Sequence, residues 1–274
     1  MKRRALLLTT SAACLAAFGS IQARADVLAD VKKASVLKVG TEAEFPPFDY
    51  MDEGDHVGFN VDFFNEVGKA LGVRVEWVDL PWDGVLPGLA ADKFDIVAGP
   101  ATITKARLPH YDFTSPIAEG TVTLVKRANE HSIAKASDIA GKQVGCGKGS
   151  AQLDQLKVYA DSLTPKAIVR EYGDDNALVA DLVAGRIVAY ATSLPNALTA
   201  EKSHPNLFAA LFPTIGPKTY LAFLARKDDA SASLVTAVDG VISTMKSDGR
   251  FAALQTKWFG AATTLPVSVT DPAT

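Results

Sequence analysis

Cysteine, histidine and long apolar runs are all scarce in this chain of 274 residues. Its two cysteines are Cys14 and Cys146, and since Cys14 falls in a leader-like start, no disulfide within the mature chain is expected. Beyond that start, no stretch is long and apolar enough to cross a bilayer. The four histidines lack the spacing of metal ligands, and the lysines and arginines form no basic run. Neither a metal site nor a nucleic-acid partner is therefore predicted.

The first 25 residues have the organisation of a secretory signal peptide. Residues 1–4 are basic, residues 5–17 are apolar or small, and residues 23–25 fit a small-x-small cleavage site. We predict cleavage after Ala25 and export of a soluble chain to the periplasm. Lipidation at Cys14 is the weaker alternative, because Ser11 stands where a lipobox usually has an aliphatic residue. Without this leader, 24 basic residues face 31 acidic ones, which gives a formal charge of −7.

From residue 36 the apolar pattern alternates between strands and helices. The predicted strands are 36–40, 73–78, 96–98, 121–126, 143–147, 168–172, 187–192 and 220–226. The predicted helices are 61–71, 83–91 with Asp83 as its cap, 151–160, 176–184, 194–200, 231–247 and 251–259. A polar stretch at 127–137 separates two such runs. The order predicts an α/β fold of two units with mostly parallel sheets, a cleft between the units, and a loose tail from residue 261.

One corner of the first unit, residues 95–107, carries groups that suit an anion. Ile96 to Ala98 is a buried strand that Gly99-Pro100 is expected to break, and Thr102 or Thr104 is expected to cap a helix that contains Arg107. A helix start favours an anion, and an arginine can grip a carboxylate with two parallel hydrogen bonds. An ordinary helix cap beside a surface arginine is the alternative.

The glycine-rich turn 145–150 has the spacing of neither a P-loop nor a dinucleotide-binding motif, so no cofactor is predicted. Cys146 is expected to be a small core residue, since the sequence shows no base that could activate it as a nucleophile. Lys148 is expected to face solvent. Asp174-Asp175 is expected to cap the helix that begins at Asn176.

An ordered set of short motifs covers nearly all of the chain after the leader. They are Val39-Gly40-Thr41 with Pro46-Pro47-Phe48, Val57-Gly58-Phe59-Asn60-Val61-Asp62, Ile103-Thr104-Lys105-Ala106-Arg107, Phe113-Thr114-Ser115-Pro116, Gly141-Lys142-Gln143-Val144-Gly145, Leu182-Val183-Ala184-Gly185-Arg186, and Gly249-Arg250-Phe251 with Trp258-Phe259. On these motifs the chain resembles the polar-amino-acid-binding family of periplasmic solute receptors that serve ABC importers. The resemblance implies the two-lobed Venus flytrap fold, with crossover strands near 121–127 and 217–221. Lobe 1 would comprise 26–127 and 219–262, lobe 2 would comprise 128–218, and 263–274 would be a C-terminal tail.

The same resemblance implies which residues hold a ligand's carboxylate. Arg107 would be the carboxylate clamp, and Thr102 would contact both the carboxylate and the amino group. The Ser150 hydroxyl and the Ala151 N–H, at the start of a lobe-2 helix, would complete the carboxylate site.

For the remainder of the ligand, the resemblance implies a second set of contacts. The backbone carbonyls of Gly99 and Pro100 would accept from the amino group. Phe45 and Trp82 would sandwich the apolar part, and Glu42 and Gln152 would reach the distal group. Each of these residues also has an ordinary structural interpretation, such as a core aromatic or an exposed loop carboxylate.

One position departs from the family pattern. Amino-acid-binding members have an acidic residue after a lobe-2 strand that pairs with the ligand's α-ammonium, and here that position is Ser193. A serine supplies no charge, and a buried cation without an anionic partner is costly. Three hypotheses follow: Glu42 or Glu44 supplies the charge, the ligand's amino group is modified, or the ligand is a carboxylate without an ammonium.

The resemblance implies a monomeric binding protein, not an enzyme. It would deliver a small carboxylate, an amino acid or a derivative, to the membrane permease of an ABC importer. The alternatives are a receptor for a non-amino organic acid, a receptor that presents its ligand to a membrane sensor, and an enzyme like the cyclohexadienyl dehydratases. That last reaction needs a general acid in the cleft, for which Glu42 and Glu44 are the candidates.

Overall fold

The computed structural model describes residues 26–274. The predicted signal peptide, its cleavage after Ala25 and the alternative lipidation at Cys14 lie outside the described residues. None of the helices within 26–274 has the length and apolar content needed to cross a membrane.

The first of two large sheets contains the first and the last strand of residues 26–274. Its strands are β1 (Val36–Thr41), β5 (Arg74–Asp79), β6 (Ile96–Thr102), β7 (Tyr111–Phe113), β8 (Ala118–Glu119) and β14 (Tyr220–Arg226). Strands β5, β1 and β6 are parallel, and β14 joins them antiparallel through β6. The helices of this unit are α1 (Val27–Ala34), α2 (Phe59–Leu71), α3 (Trp82–Ala90), α7 (Asp229–Ser247) and α8 (Arg250–Phe259). We call this unit lobe 1.

The second sheet consists of the strands between these segments. They are β9 (Val122–Arg127), β10 (Gln143–Gly147), β11 (Ile168–Tyr172), β12 (Ala189–Ser193) and β13 (Phe208–Ile215). Strands β11, β10 and β12 are parallel, whereas β9 runs antiparallel between β12 and β13. A 3-10 turn (Ala136–Ile139) and the helices α4 (Ala151–Asp161), α5 (Asp175–Val183) and α6 (Leu194–Ser203) complete this unit, which we call lobe 2.

Two short segments connect the lobes. The chain leaves lobe 1 after β8 and enters lobe 2 at β9, and it returns between β13 and β14. The Gly120 N–H donates to the Thr219 carbonyl over 2.8 Å, so the two segments are hydrogen-bonded to each other where they cross. The protein therefore has the two-lobed α/β fold that the resemblance implies.

Each lobe has its own hydrophobic core. Phenylalanines dominate lobe 1, where Phe63 and Phe64 on α2 pack against Phe223 on β14 with ring centroids 5.0 and 4.9 Å apart. In lobe 2, Val144 and Cys146 on β10 pack with Leu153 and Leu156 on α4. Cys146 is thus a buried core residue, as predicted. Separate cores allow each lobe to remain intact while the two change their relative position.

The sequence pattern did not predict a small antiparallel sheet in lobe 1. Its strands are β2 (Glu44–Phe45), β3 (Asp49–Asp52) and β4 (Asp55–Val57). The buried Asp49 carboxylate accepts a hydrogen bond from the Thr41 hydroxyl and contacts the His56 ring. These contacts close the base of the loop that follows β1.

The corner after β6 differs from its prediction. Strand β6 continues through Gly99 and Pro100 to Thr102 instead of ending at Ala98. It pairs with β1 only at its first two residues, and β14 shifts register opposite Pro100, so a residue without an N–H falls where the ladder is already irregular. Residues 105–110 form turns and not the predicted helix, in which Pro109 could not donate.

Two further predictions are corrected. Helix α3 is preceded by Pro81 as its cap residue, and Asp83 lies inside its first turn. Residues 261–274 contain no helix or strand, but they are not loose. The Lys105 N–H donates to the Thr274 carbonyl over 2.6 Å, Pro272 is buried, and Leu265 packs against the lobe-1 core. The tail therefore lies against the turn that carries Arg107.

Candidate functional site

A cavity of about 680 Å³, including its open mouth, lies between the lobes. It is formed at the carboxyl ends of parallel strands of both sheets, where ligands of open α/β sheets usually bind. Nine of the eleven residues proposed from the sequence line it: Glu42, Phe45, Trp82, Gly99, Pro100, Thr102, Arg107, Ser150 and Gln152. The other two, Ala151 and Ser193, are buried outside this lining.

Arg107 provides the positive charge of one end of the cavity. Its guanidinium donates to the Thr102 carbonyl at 3.0 Å and to the Gly149 carbonyl at 3.5 Å, and it lies over the Trp82 ring at 5.7 Å. Burial lowers the pKa of Arg107, yet arginine remains protonated at any physiological pH. A partly desolvated guanidinium of this kind favours an anion, above all a carboxylate.

Helix α4 begins at the same end of the cavity. Ser150 is its cap: the hydroxyl accepts from the Leu153 N–H at 3.0 Å and donates to the Gly147 carbonyl at 2.7 Å. Ala151 is the first helical residue, and Gln152 beside it lines the cavity. The free N–H groups of a first helical turn carry partial positive charge, so they add to the attraction that Arg107 exerts on an anion.

Aromatic side chains form the walls. The Trp82 ring lies directly on Gly99, where an added Cβ would stand 3.2 Å from a ring carbon, so a larger residue there would displace the ring. Phe45 lines the cavity from the loop after β1, and Tyr172 and Tyr190 line it from lobe 2. Such walls suit the apolar part of a small ligand.

Two carboxyl groups in the lining, those of Glu42 and Asp175, have raised pKa values. Glu42 accepts from the backbone N–H of Trp82 at 3.2 Å, while burial first and the nearby Asp175 second raise its pKa to about 8. Asp175 is the first residue of α5, and burial, followed by the charges of Glu44 and Asp174, raises its pKa to about 7. Of the predicted cap Asp174-Asp175, only Asp174 caps α5, where it accepts from the Ala177 N–H at 2.7 Å, and the helix begins at Asp175 instead of Asn176. Asp175 instead faces the cavity.

Ser193 has no access to the cavity. It is 0% exposed, and its hydroxyl is hydrogen-bonded to the side-chain oxygen of Asn196. The Asn196 amide donates in turn to the Pro46 carbonyl of lobe 1 at 2.6 Å. Ser193 therefore supports a contact between the lobes at the point where it was expected to meet a ligand.

Further contacts join the lobes around the cavity, so the structure is a closed form. The Lys148 ammonium pairs with the Asp83 carboxylate at 3.0 Å, although its side chain is 57% exposed and does face solvent as predicted. The Glu44 carboxylate accepts from the Asp175 N–H at 3.1 Å and from the Asn176 amide at 2.6 Å. These interactions cross the cleft on both sides.

Sequence reasoning missed Asp175, Tyr172 and Tyr190 as lining residues. A signal for the first two was available, because the loop that follows β11 is also the carboxyl end of a parallel strand. Tyr190 lies inside β12, and only the alternation of side chains across that strand would have indicated its direction.

Several known proteins are similar to this chain in sequence or in structure. The L-cystine-binding protein TcyJ of Escherichia coli (strain K12) is 34% identical over 265 residues, which cover 95% of this chain and 97% of that protein. An ancestral arginine-binding protein, solved with arginine bound, is 32% identical with a TM-score of 0.75, over 82% of this chain and 99% of its own.

A third similar structure is the ancestral amino acid-binding protein AncCDT-1, described as a precursor of cyclohexadienyl dehydratase. It is 31% identical with a TM-score of 0.75, over 85% of this chain and 99% of its own. The family model that matches residues 37–261 describes bacterial extracellular solute-binding proteins, family 3. With a match over most of its length, this chain belongs to the bacterial extracellular solute-binding proteins of family 3.

Proposed function

We propose that this protein captures a free amino acid, or a close derivative, in the periplasm and delivers it to the permease of an ABC importer. The observation that carries the proposal is the charge pattern of one closed cavity. Arg107 and the start of α4 favour an anion, and Glu42 and Asp175 favour a cation. An amino acid carries both charges on one small molecule. The binding proteins for cystine and arginine that resemble this chain support the same class of ligand.

The proposed contacts follow from the lining. The ligand's carboxylate meets Arg107, with Thr102, Ser150 and the Ala151 N–H around it. The carbonyls of Gly99 and Pro100 accept from an amino group, and Phe45 and Trp82 cover the apolar part. Gln152 and Glu42 remain for the ligand's other polar or cationic groups. The return to lobe 1 at 218/219, the monomeric state and the cleaved leader are further parts of the proposal, whereas the lobe limit expected at 127/128 is replaced by one that precedes β9.

A dehydratase is the second candidate, and Glu42 is the observation that favours it. With its pKa raised to about 8 by burial and by Asp175, this carboxyl group holds a proton at neutral pH and could act as a general acid. The similarity to AncCDT-1, which is described as a precursor of cyclohexadienyl dehydratase, also supports this second candidate. Conversion of a cyclohexadienyl acid by the purified protein would establish it.

The test uses the chain from Asp26, unfolded and refolded to remove any bound molecule. Thermal unfolding is measured with each common amino acid, with L-cystine, and with deaminated counterparts. A ligand at ~100 times its dissociation constant adds about 2.7 kcal/mol to the free energy of unfolding. Stabilisation by one or a few amino acids is expected. Stabilisation by deaminated acids alone, or by no member of the panel, would contradict the proposal.

Arg107→Lys is the matched variant for this test. It keeps the positive charge but loses the planar pair of donors, so we expect affinity for the carboxylate to fall by about tenfold or more. Arg74→Lys changes an exposed arginine of lobe 1 that pairs with Glu76 and lies outside the cavity, and it should bind as the wild type does.

A further inference from the structure

Two acidic side chains from different lobes line the same part of the cavity. Glu42 follows β1 in lobe 1, and Asp175 begins α5 in lobe 2. The Asp175 carboxylate lies beside Gly147, where an added Cβ would stand 3.3 Å from its Oδ1 atom. The Asp175 charge acts on Glu42 strongly enough to raise the pKa of that carboxyl group. The two groups therefore line one cavity from opposite lobes, near enough for their charges to interact.

Within residues 26–274, no lysine, arginine or histidine forms an ion pair with either of these acids. The cations that line the cavity are engaged elsewhere: Lys148 pairs with Asp83, and Arg107 donates to the carbonyls of Thr102 and Gly149. Two carboxylates that share a desolvated site without a cation repel each other, so one must hold a proton or a cation must enter. The cavity thus has a place for a positive group that the protein does not fill.

The position expected to hold this group cannot do so. Ser193 is buried, its hydroxyl is bonded to Asn196, and it has no charge to offer. Asp175 has the charge, lies in the same lobe and faces the cavity. Its helix N-terminus is not free, since the Asp175 N–H donates to Glu44 from the other lobe. The carboxylate, not the helix end, is the available feature.

We propose that Asp175 is the lobe-2 anion that holds the ligand's cationic group, opposite Glu42 of lobe 1 and in place of Ser193. This inference rests on the proposed function and adds its substrate requirement: the ligand must carry a protonated amine or another cation. Because the two acids belong to different lobes, a cation between them allows both to ionise and attracts both. The ligand's positive charge therefore favours closure of the cleft.

The experiment compares Asp175→Asn with Asp174→Asn by titration calorimetry. The probes are L-cystine, L-arginine and L-glutamine, with 3,3′-dithiodipropionate as the analogue of cystine that lacks both amino groups. Asp174 is the matched control, because it is the neighbouring acid, it caps the same helix, and asparagine caps a helix equally well. Glu42→Gln tests the partner in the other lobe, and circular dichroism verifies that each variant folds.

We expect Asp175→Asn to weaken binding of the preferred amino acid by about a hundredfold, because one side of a buried ion pair is removed. Asp174→Asn should stay within about twofold of the wild type, and Glu42→Gln should weaken binding in the same direction as Asp175→Asn. Wild-type protein should bind 3,3′-dithiodipropionate far more weakly than cystine. In Asp175→Asn the ratio of these two affinities should be smaller.

Equal affinities of wild type and Asp175→Asn would overturn the inference, as would equal losses in Asp175→Asn and Asp174→Asn. In either case the wild type would still bind an amino acid, and the proposed function would stand. A wild type that binds no amino acid at all would contradict the proposed function itself, and the two failures are therefore distinguishable.

Discussion

The indole N–H of Trp82 in lobe 1 donates to the carbonyl of Gly149 in lobe 2 over 3.2 Å. The same residue donates its backbone N–H to Glu42, covers Gly99 with its ring and lies beneath the Arg107 guanidinium. One side chain therefore joins the wall of the cavity, its anion-binding end and the opposite lobe. Gly149 has φ +72°, a conformation that favours glycine, and it presents its carbonyl to both Trp82 and Arg107.

Trp82→Phe should keep the aromatic wall but lose the hydrogen bond between the lobes. A net contribution of about 1 kcal/mol per hydrogen bond corresponds to a loss of affinity of about fivefold, expressed mainly as faster release of the ligand. Stopped-flow fluorescence and calorimetry measure both quantities. Trp258→Phe is the control, because the indole of Trp258 donates to Asp62 within lobe 1 and far from the cleft. Equal effects of the two substitutions would contradict a role in closure.

Glu44→Gln should weaken closure on the other side of the cleft. The Glu44 carboxylate accepts from the first N–H of α5 and from the Asn176 amide, where the helix dipole favours negative charge. Glutamine keeps the shape but removes the charge, and we expect ligand release to accelerate by about threefold to tenfold. Glu53→Gln changes an exposed acid on the far turn of the small sheet and should have no effect. Small-angle scattering should show a larger open fraction in Glu44→Gln alone.

The ligand-free protein should lose stability as the pH rises from about 5 to about 8. Glu42 has a pKa of about 8 in the fold against an ordinary value of 4.5, so between these values the folded state holds a proton that the unfolded state has released. Stability falls with pH wherever the folded state binds more protons, and the full loss is reached above pH 8. The groups that face Glu42 are Asp175, Glu44, Asp79 and the Trp82 N–H.

Glu42→Gln should remove that part of the pH dependence, because glutamine does not titrate. The difference in melting temperature between Glu42→Gln and wild type should therefore grow from pH 5 to pH 8 in favour of the variant. Asp79→Asn is the control in the same region: its carboxylate accepts from the Ala43 N–H, and it should leave the slope nearly unchanged. Parallel curves for wild type and Glu42→Gln would show that Glu42 ionises normally.

Most of the fold was accessible from the sequence, because apolar periodicity directly reflects burial. Strands 143–147, 168–172 and 220–226 were predicted with their observed bounds, and α4 and α8 were predicted to within one residue at each end. The small sheet was not predicted, since β2 and β4 have only two and three residues and carry too little pattern. The prediction at Arg107 failed because caps and a break at Gly99-Pro100 suggest a helix locally, whereas the pairing of β6 with β14 extends the strand instead.

Residues of the candidate site could be predicted from the sequence wherever they belong to a motif. Nine lining residues followed from the resemblance, yet Asp175 did not, because the pair Asp174-Asp175 before a helix has an adequate explanation as a cap. Which of two adjacent acids caps the helix and which faces a cavity depends on the position of the other lobe. A local sequence pattern does not contain the position of the other lobe. Ser193 was located correctly at the end of β12, but its bond to Asn196 is likewise a property of the packed structure.

The last prediction concerns the reactivity of the Cys146 thiol in the folded protein. Burial raises the pKa of its thiol to about 12 from 9.0, and its Sγ atom lies 3.5 Å from the Ser150 hydroxyl and 3.4 Å from the Ala191 carbonyl. The thiolate is the reactive form, so a rise of this size reduces the reactive fraction near pH 8 by about a thousandfold. Aromatic disulfide reagents should therefore label the folded chain from Asp26 much more slowly than the chain in denaturant. Because Cys146 is the sole cysteine of that chain and also lines the cavity, a bound ligand should slow labelling further. Rapid labelling at the rate of the denatured chain, unchanged by ligand, would mean that the thiol is not enclosed between β10 and α4.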